Sequence, residues 1–260
     1  MEFGPECVAA ARTAFEAARP FAHLVIDNFL TAEGKAGAED FPAGDWPGWR
    51  RFFDEYQKEK RTCNDIEAMP RSLAALIHEC STPRFLAFLE AVTGIGGLLT
   101  DPYLDGGGLH CSGPSGVLAP HTDFHLYKRL NLYRAINLLI YLNPDWSEAD
   151  GGQLELYGLG ETAPAVSVTP VLGRAVIFRT DDRSIHGFTE AVAPDRWRRS
   201  IALYYYTSRE TGQFSGDTGT HWRSHGARLT GPRLALFEAL IFCSRVFSKA
   251  AHAINPNKGA

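Results

Sequence analysis

In the segment APHTDFH an imidazole and a carboxylate, His121 and Asp123, stand two residues apart. Side chains alternate in direction along an extended chain, so both project from one face while Thr122 points away. Neutral imidazole and carboxylate both ligate divalent transition metals. The pair alone is weak: with nine histidines in the chain, a chance H-x-D is expected in roughly half of such sequences, and a surface turn explains it as well. Its position strengthens it. The pair opens an apolar strand run, and a third donor, His186 in RSIHGF, follows the run RAVIFRT. A distant second histidine is what a jelly roll needs to complete a metal site on one face.

Two imidazoles and one carboxylate on one face leave the opposite octahedral positions open, the arrangement that suits Fe(II) oxygenases, and no thiolate joins them to favour zinc or an iron–sulfur cluster. The other histidines read more plainly. His125 shares the parity of Asp123 and is taken as a neighbour or pocket-lining group, as is His110 in GGGLHCS; His23, His78, His221, His225 and His252 lack a carboxylate at ligand spacing.

Twelve residues after His186, the run RRSIALYYYT opens with Arg198, Arg199 and Ser200. Alternation places Arg198, Ser200, Ala202 and Tyr204 on one face and Arg199, Ile201, Leu203 and Tyr205 on the other, the more apolar, which is expected to pack outward against helices. A guanidinium with a hydroxyl two residues on makes a fork suited to a carboxylate; a charged strand end facing solvent is the plain alternative. Asn137 and Tyr141 share a face of LNLLIYLN and are candidates to hydrogen-bond a ligand. Tyr103, Tyr127 and Tyr133 are weaker pocket candidates, and Gly151 and Gly152 are read as a tight turn before LELY.

The elements that must position these groups follow from pattern. Apolar Val8, Ala11, Phe15 and Ala18 recur at helical spacing from Pro5 to Ala18, and AHLVID reads as a strand. PRSLAALIHEC and TPRFLAFLEAVTG read as helices, with Thr82 as a cap and Gly94 as a stop. The stretch from Thr31 to Met69 is polar, aromatic and broken by Pro and Gly, an ordered excursion of the kind that covers a site. After Gly96, short Val-, Ile-, Leu- and Tyr-rich runs alternate with turns: GVLAPHTD, YRAINLLIYLN, GQLELYG, AVSVTPV, RAVIFRT and RSIALYYYT, the pattern of a barrel or sandwich. A last helix, PRLALFEALIFCSRVFSK, offers Leu236, Leu240 and Phe247 to that core. The expectation is one domain over 1–260: helical support and lid over 1–95, a β core over 96–207, and a loop with the C-terminal helix over 208–260.

Composition is ordinary for a globular chain of 260 residues, 45% hydrophobic and 22% charged. A formal charge of −4 with scattered arginines disfavours nucleic acid or an anionic membrane as partner. Five widely spaced cysteines without a C-x-x-C pair argue against a disulfide framework or structural zinc and fit a reducing cytoplasm. The acidic start and the lack of a long apolar run argue against a signal peptide or a spanning helix.

Taken together, PFAHLVIDNFL, H-T-D, LNLLIYLN, GGQLELY, RAVIFRT, S-I-H-G and R-R-S, over roughly Pro20 to Thr207, resemble the 2-oxoglutarate and Fe(II)-dependent oxygenase superfamily, especially its prolyl 4-hydroxylase-like branch. The resemblance implies a mainly β fold with flanking helices, a double-stranded β-helix or jelly roll. It implies His121, Asp123 and His186 as iron ligands and Arg198, assisted by Ser200, as the anchor for the far carboxylate of 2-oxoglutarate, with Arg196 and Arg199 as alternatives because family members differ in that spacing. Fe(II), 2-oxoglutarate and O2 would be required, with ascorbate as an accessory. The implied reaction is decarboxylation of 2-oxoglutarate to succinate coupled to hydroxylation of an unactivated C–H bond in a prolyl, amino-acid-like, peptidyl or natural-product substrate. Related halogenases replace the carboxylate by a small residue, so Asp123 points to a hydroxylase or desaturase. Two other classes remain: a jelly-roll zinc or manganese hydrolase or isomerase, which gives Arg198 and Ser200 no use, and a non-catalytic cupin-like binding module.

Overall fold

The computed structural model describes residues 5–52, 54, 56–211 and 219–222, together with isolated helical positions between 232 and 243. By internal contacts the chain forms two compact units, Met1–Arg223 and Ser224–Ala260. The expected last helix falls mostly outside the described residues. Everything below concerns the first unit.

In chain order its elements are α1 (Pro5–Ala17), β1 (His23–Ile26), α2 (Ala32–Ala36), β2 (Arg50–Phe52), β3 (Gln57–Cys63), α3 (Arg71–Glu79), α4 (Pro83–Thr93), β4 (Leu99–Thr100), β5 (Gly108–Thr122), β6 (Leu126–Tyr127), β7 (Leu132–Tyr141), β8 (Leu154–Tyr157), β9 (Val166–Val168), β10 (Ala175–Arg179), β11 (Ile185–Phe188), β12 (Arg198–Thr207) and β13 (His221–Trp222). The strands pair antiparallel along β1-β10-β7-β12-β5-β11-β8-β9, a mainly β jelly roll with flanking helices, as the sequence pattern implies. Among the described residues no helix is long and apolar enough to cross a membrane.

Alternation along the central strands divides the molecule into two layers. Ile136, Leu138 and Ile140 of β7, Ala175 and Ile177 of β10, and Ile201, Leu203 and Tyr205 of β12 face Phe15, Leu73, Ile77, Phe85 and Leu89 of the helices. The residues between them, Tyr141, Val176 and Phe178, turn inward to meet Leu154, Leu156 and Val168. The helices lock to the outer face: the Tyr205 hydroxyl donates to the Cys80 carbonyl at 2.9 Å. Thr82 caps α4 by accepting from the Phe85 amide, and Gly94 ends it at φ +71°, as its sequence predicts. The left-handed backbone there favours Gly because a Cβ crowds the following carbonyl.

Three features differ from the sequence reading. The excursion between Thr31 and Met69 contains a hairpin, β2 with β3, that pairs with β5. The strand read in GVLAPHTD starts eight residues earlier, at Gly108. IHGF, not assigned as a strand, is β11. Each segment is rich in Gly, Ser or charge and lacks apolar alternation, because its side chains face a polar cavity on one side.

Candidate metal centre

His121 lies near the end of β5 and Asp123 just past it, while His186 is the cross-strand partner of His121 in β11. One ligand atom from each, all buried, lie within 4.8 Å of one another, which makes this a metal-sized constellation. The imidazole centroids are 4.4 Å apart, and each Nε2 is 3.6 Å from an Asp123 oxygen.

Both rings are fixed in the tautomer a metal requires. His121 Nδ1 donates to the Ala119 carbonyl at 2.9 Å and His186 Nδ1 to the Ser184 carbonyl at 3.0 Å, leaving both Nε2 lone pairs toward the centre. Burial, reinforced by the neighbouring His121, lowers the His186 pKa to about 4, so the ring is neutral at pH 7. Burial pushes the Asp123 pKa up, but the Arg134 guanidinium and then the two imidazoles outweigh it and hold the carboxyl well below the usual range. Its Oδ2 accepts from Asn137 Nδ2 at 2.7 Å and pairs with Arg134 at 3.0 Å, while Oδ1 faces His121 Nε2 at 3.6 Å. A hard carboxylate oxygen and two imidazole nitrogens turned to the centre fit Fe(II).

Arg134 was not apparent in the sequence, since simple alternation from Asn137 turns it outward. A register shift in the β7–β12 pairing, where Tyr205 faces Ile136 but Tyr206 faces Arg134, inserts one extra residue and returns it to the inner face. There it donates through Nε to Asn137 Oδ1 at 2.8 Å and lies 3.3 Å from the Tyr204 ring centroid. Asn137 therefore orients Asp123 while itself lining the cavity; Thr180 also donates to its Oδ1, at 3.3 Å.

The triad opens into a cavity of about 390 Å³, lined also by Arg198, Ser200, Leu154 and Phe188. Arg198 is 7% exposed, its guanidinium held between the rings of Phe188 and Tyr141 at 4.5 and 5.0 Å. Its Nε donates to the Gly152 carbonyl at 2.6 Å and a terminal nitrogen donates to the Tyr141 hydroxyl at 3.4 Å. Among the described residues no carboxylate pairs with it. A buried guanidinium without an acid is a site for an anion, because desolvating it is costly unless a partner arrives. The alternatives are otherwise engaged: Arg196 pairs with Asp150 at 2.8 Å, and Arg199 lies over Phe41 in the outer layer. Tyr141 lies behind Arg198, outside the cavity lining. Gly152 has φ +65°, and a Cβ there would stand 2.9 Å from Arg198 Cδ, so this turn glycine also makes room for the anchor.

Tyr103, Tyr127 and Tyr133 do not line the cavity, and neither does His125, whose Nδ1 is 3.2 Å from Asp182. Tyr103 stacks with Arg129 and Tyr127 with Tyr206, which turns both away. His110 does line it, its Nε2 donating to the Gly106 carbonyl at 3.0 Å. Sequence pattern also missed Trp222, whose ring lies 4.7 Å from His121 and stacks on Tyr56 at 5.4 Å; β13 is two residues long and offers no periodicity.

Comparison with known proteins agrees with this geometry. Residues 107–207, which carry all three donors and Arg198, match the family model of the 2OG-Fe(II) oxygenase superfamily. Prolyl 3,4-dihydroxylase OGFOD1 of Ostreococcus tauri is 31% identical over 145 residues, 52% of this chain and 26% of that protein. The chain spans about a quarter or less of the curated relatives it matches. A prolyl hydroxylase from Trichoplax adhaerens, solved with a hypoxia inducible factor peptide fragment, shares the fold at TM-score 0.55 and 19% identity, over 76% of this chain and 90% of that one. The epimerase SnoN from nogalamycin biosynthesis, described as non-heme and alpha ketoglutarate dependent, superposes at TM-score 0.57 and 19% identity over 88% and 98%. The donors, their tautomers and the matched span agree: residues 107–207 of this chain are similar to the 2OG-Fe(II) oxygenase superfamily, and the relatives it resembles include prolyl hydroxylases.

Proposed function

We propose that this chain is a 2-oxoglutarate- and Fe(II)-dependent dioxygenase that hydroxylates an unactivated C–H bond in an amino-acid-like, peptidyl or natural-product substrate, converting 2-oxoglutarate to succinate and CO2. The observation that carries the reading is the pairing, in one cavity, of a His121/Asp123/His186 site with a buried guanidinium that has no acid partner among the described residues.

Each residue has a task in that reaction. His121, Asp123 and His186 would hold the metal from one side, and the metal would supply the redox chemistry that activates O2. Ala119 and Ser184 carbonyls keep both rings in the ligating tautomer. Arg134 and Asn137 keep Asp123 ionised and turned. Arg198, with Ser200 beside it on the same face, would receive the far carboxylate of 2-oxoglutarate, and the Phe188 and Tyr141 rings exclude water around that ion pair, which strengthens it. Trp222 covers His121 on the side of β13 and shields the reacting region.

Anaerobic titration of the Fe(II)-loaded protein with 2-oxoglutarate tests this. The expected result is a visible metal-to-ligand charge-transfer band that saturates in the wild type and weakens in Asp123→Ala and Arg198→Ala, with succinate released once O2 is admitted. A metal-loaded wild type that gives neither band nor succinate would overturn the reading and favour a hydrolytic or binding role for the same ligands.

A further inference from the structure

The hairpin of β2 and β3 adds a second set of cations to the cavity. In register, Phe52 faces Lys60, Lys60 faces Ser112 of β5, and Ser112 faces Arg198 of β12. The adjoining row runs Arg50, Thr62, His110, Ser200. Directly paired residues share a face of a sheet, so both rows look into the same space, and all eight residues line the cavity. Lys60 is two strand spacings from Arg198, about 10 Å, too far for both to serve one carboxylate from their own strands. The backbone is shaped at this point: the β3–β5 register shifts between Lys58 and Lys60, and Glu59 between them holds φ +54°. Bulges beside active sites re-aim side chains.

The charges do not balance without a further anion. Among the described residues the cavity is lined by four cations, Arg50, Lys60, Arg134 and Arg198, and two carboxylates, Asp105 and Asp123. A divalent metal and doubly charged 2-oxoglutarate cancel each other, which leaves two positive charges. Arg134 is taken by Asp123 and Arg198 by the co-substrate. Among the described residues Lys60 Nζ has Gln57 Oε1 at 3.1 Å and the Phe52 ring at 5.8 Å; Arg50 has the same ring at 5.0 Å. Neither reaches a carboxylate within ion-pair distance among the described residues. Asp54, at the hairpin turn, spends Oδ1 on the Tyr56 and Gln57 amides. Burial lowers the Lys60 pKa to about 8, with Asp123 and Asp54 opposing, so the amine is mostly charged at pH 7. A chain of net charge −4 has thus gathered its excess cations where a substrate would enter.

Resting on the oxygenase reading, we infer that Lys60, assisted by Arg50, is a specificity site for an anionic group of the substrate, a carboxylate or a phosphate, held across the cavity from the 2-oxoglutarate anchor. Phe52 between them packs against the apolar part of the same molecule. A charged small molecule, or the acidic end of a peptide, is favoured over an uncharged prolyl segment.

The test loads the full chain with Co(II) and 2-oxoglutarate and follows paramagnetic broadening of the 31P resonance of inorganic phosphate and the 1H resonance of acetate. The expected result is saturable binding of at least one of these anions without loss of 2-oxoglutarate, the stronger of the two naming the group. Lys60→Gln should weaken it by about tenfold to a hundredfold, the loss of one charge-assisted hydrogen bond. Arg50→Gln, at an exposed position, should weaken it less and covers the case in which Lys60→Gln fails to fold. Both variants should bind 2-oxoglutarate within about twofold of wild type, since neither contacts its anchor. Absence of broadening, unchanged anion binding in both variants, or displacement of 2-oxoglutarate by the anion would each overturn the inference while leaving the oxygenase reading in place. Failure of the wild type to bind 2-oxoglutarate at all would overturn both.

Discussion

Replacing Arg198 with methionine separates its proposed role from a structural one. The guanidinium is 7% exposed, makes hydrogen bonds to the Gly152 carbonyl and the Tyr141 hydroxyl, and has no acid beside it among the described residues. Without co-substrate, the wild type carries an unpaired buried charge, and burial depresses the Arg198 pKa accordingly. Methionine removes that desolvation penalty and loses one good hydrogen bond, effects of opposite sign near 1 kcal/mol each, so the substrate-free variant should lie within about 1 kcal/mol of wild type. Binding responds differently. At 2-oxoglutarate concentrations about 100 times Kd the wild type gains about 2.7 kcal/mol, or ~5–10 °C in Tm for a unit of this size. Losing the charge-assisted pair by at least 2 kcal/mol raises Kd about thirtyfold, and at the same concentration the gain falls to about 0.9 kcal/mol, ~2–3 °C. Anaerobic thermal melts of metal-loaded protein with and without 2-oxoglutarate read both quantities. A variant that loses more than about 3 kcal/mol without co-substrate, yet keeps the full co-substrate shift, would show Arg198 to be a strut and refute the anchor.

Asn137→Ala removes the amide that orients Asp123 and leaves the triad in place, so metal affinity should fall about tenfold to a hundredfold in chelator competition; unchanged affinity would deny it that task. Gly152→Ala meets a left-handed φ and the Arg198 side chain together, whereas Gly94→Ala meets a left-handed φ beside only the flexible end of Arg12. Both should lose about 1 kcal/mol in urea melts, but only Gly152→Ala should weaken 2-oxoglutarate. His110 titrates at about 3 in the folded chain, chiefly from burial and then from Lys60, against 6.5 unfolded. Between those values the unfolded chain holds the extra proton, so stability of metal-free protein falls as pH drops from 6.5 toward 3. His110→Gln should flatten that slope by up to one proton in denaturant titrations at several pH values, and an unchanged slope would contradict the assignment.

The fold was legible wherever a strand has one wet and one dry face or two dry ones. β7, β10 and β12 contrast with the turns around them because their outer residues meet α3 and α4, and the caps of α4 are local chemistry that needs no tertiary knowledge. The hairpin of β2 and β3 was hidden for the converse reason. Its inner face carries Arg50, Lys60 and Thr62 toward a polar cavity, and its outer face carries Arg51 and Arg61, the latter over Trp197. Neither face is apolar, so period-two hydrophobicity vanishes although β3 pairs with β5 on both sides of the register shift.

The same contrast explains which parts of the site could be read. His121, Asp123 and His186 gain meaning as a set, a common H-x-D pair joined by a distant histidine after an apolar strand, and Arg198 begins a strand whose parity is unbroken to Tyr205, so alternation aims it correctly. Arg134 lies beyond the bulge, where one inserted residue reverses every assignment made by counting. Lys60 follows Glu59, whose left-handed backbone resets the count in the same way. Both residues that parity misplaces are cations delivered to the cavity at a register shift, one to hold a metal ligand and the other facing the space a substrate would fill. In this chain, then, His121, Asp123, His186 and Arg198 stand where counting along the chain aims them correctly, whereas the two cations delivered at register shifts, one beside Asp123 and one facing the proposed substrate space, do not, which is why the general chemistry was legible in the sequence and the proposed specificity was not.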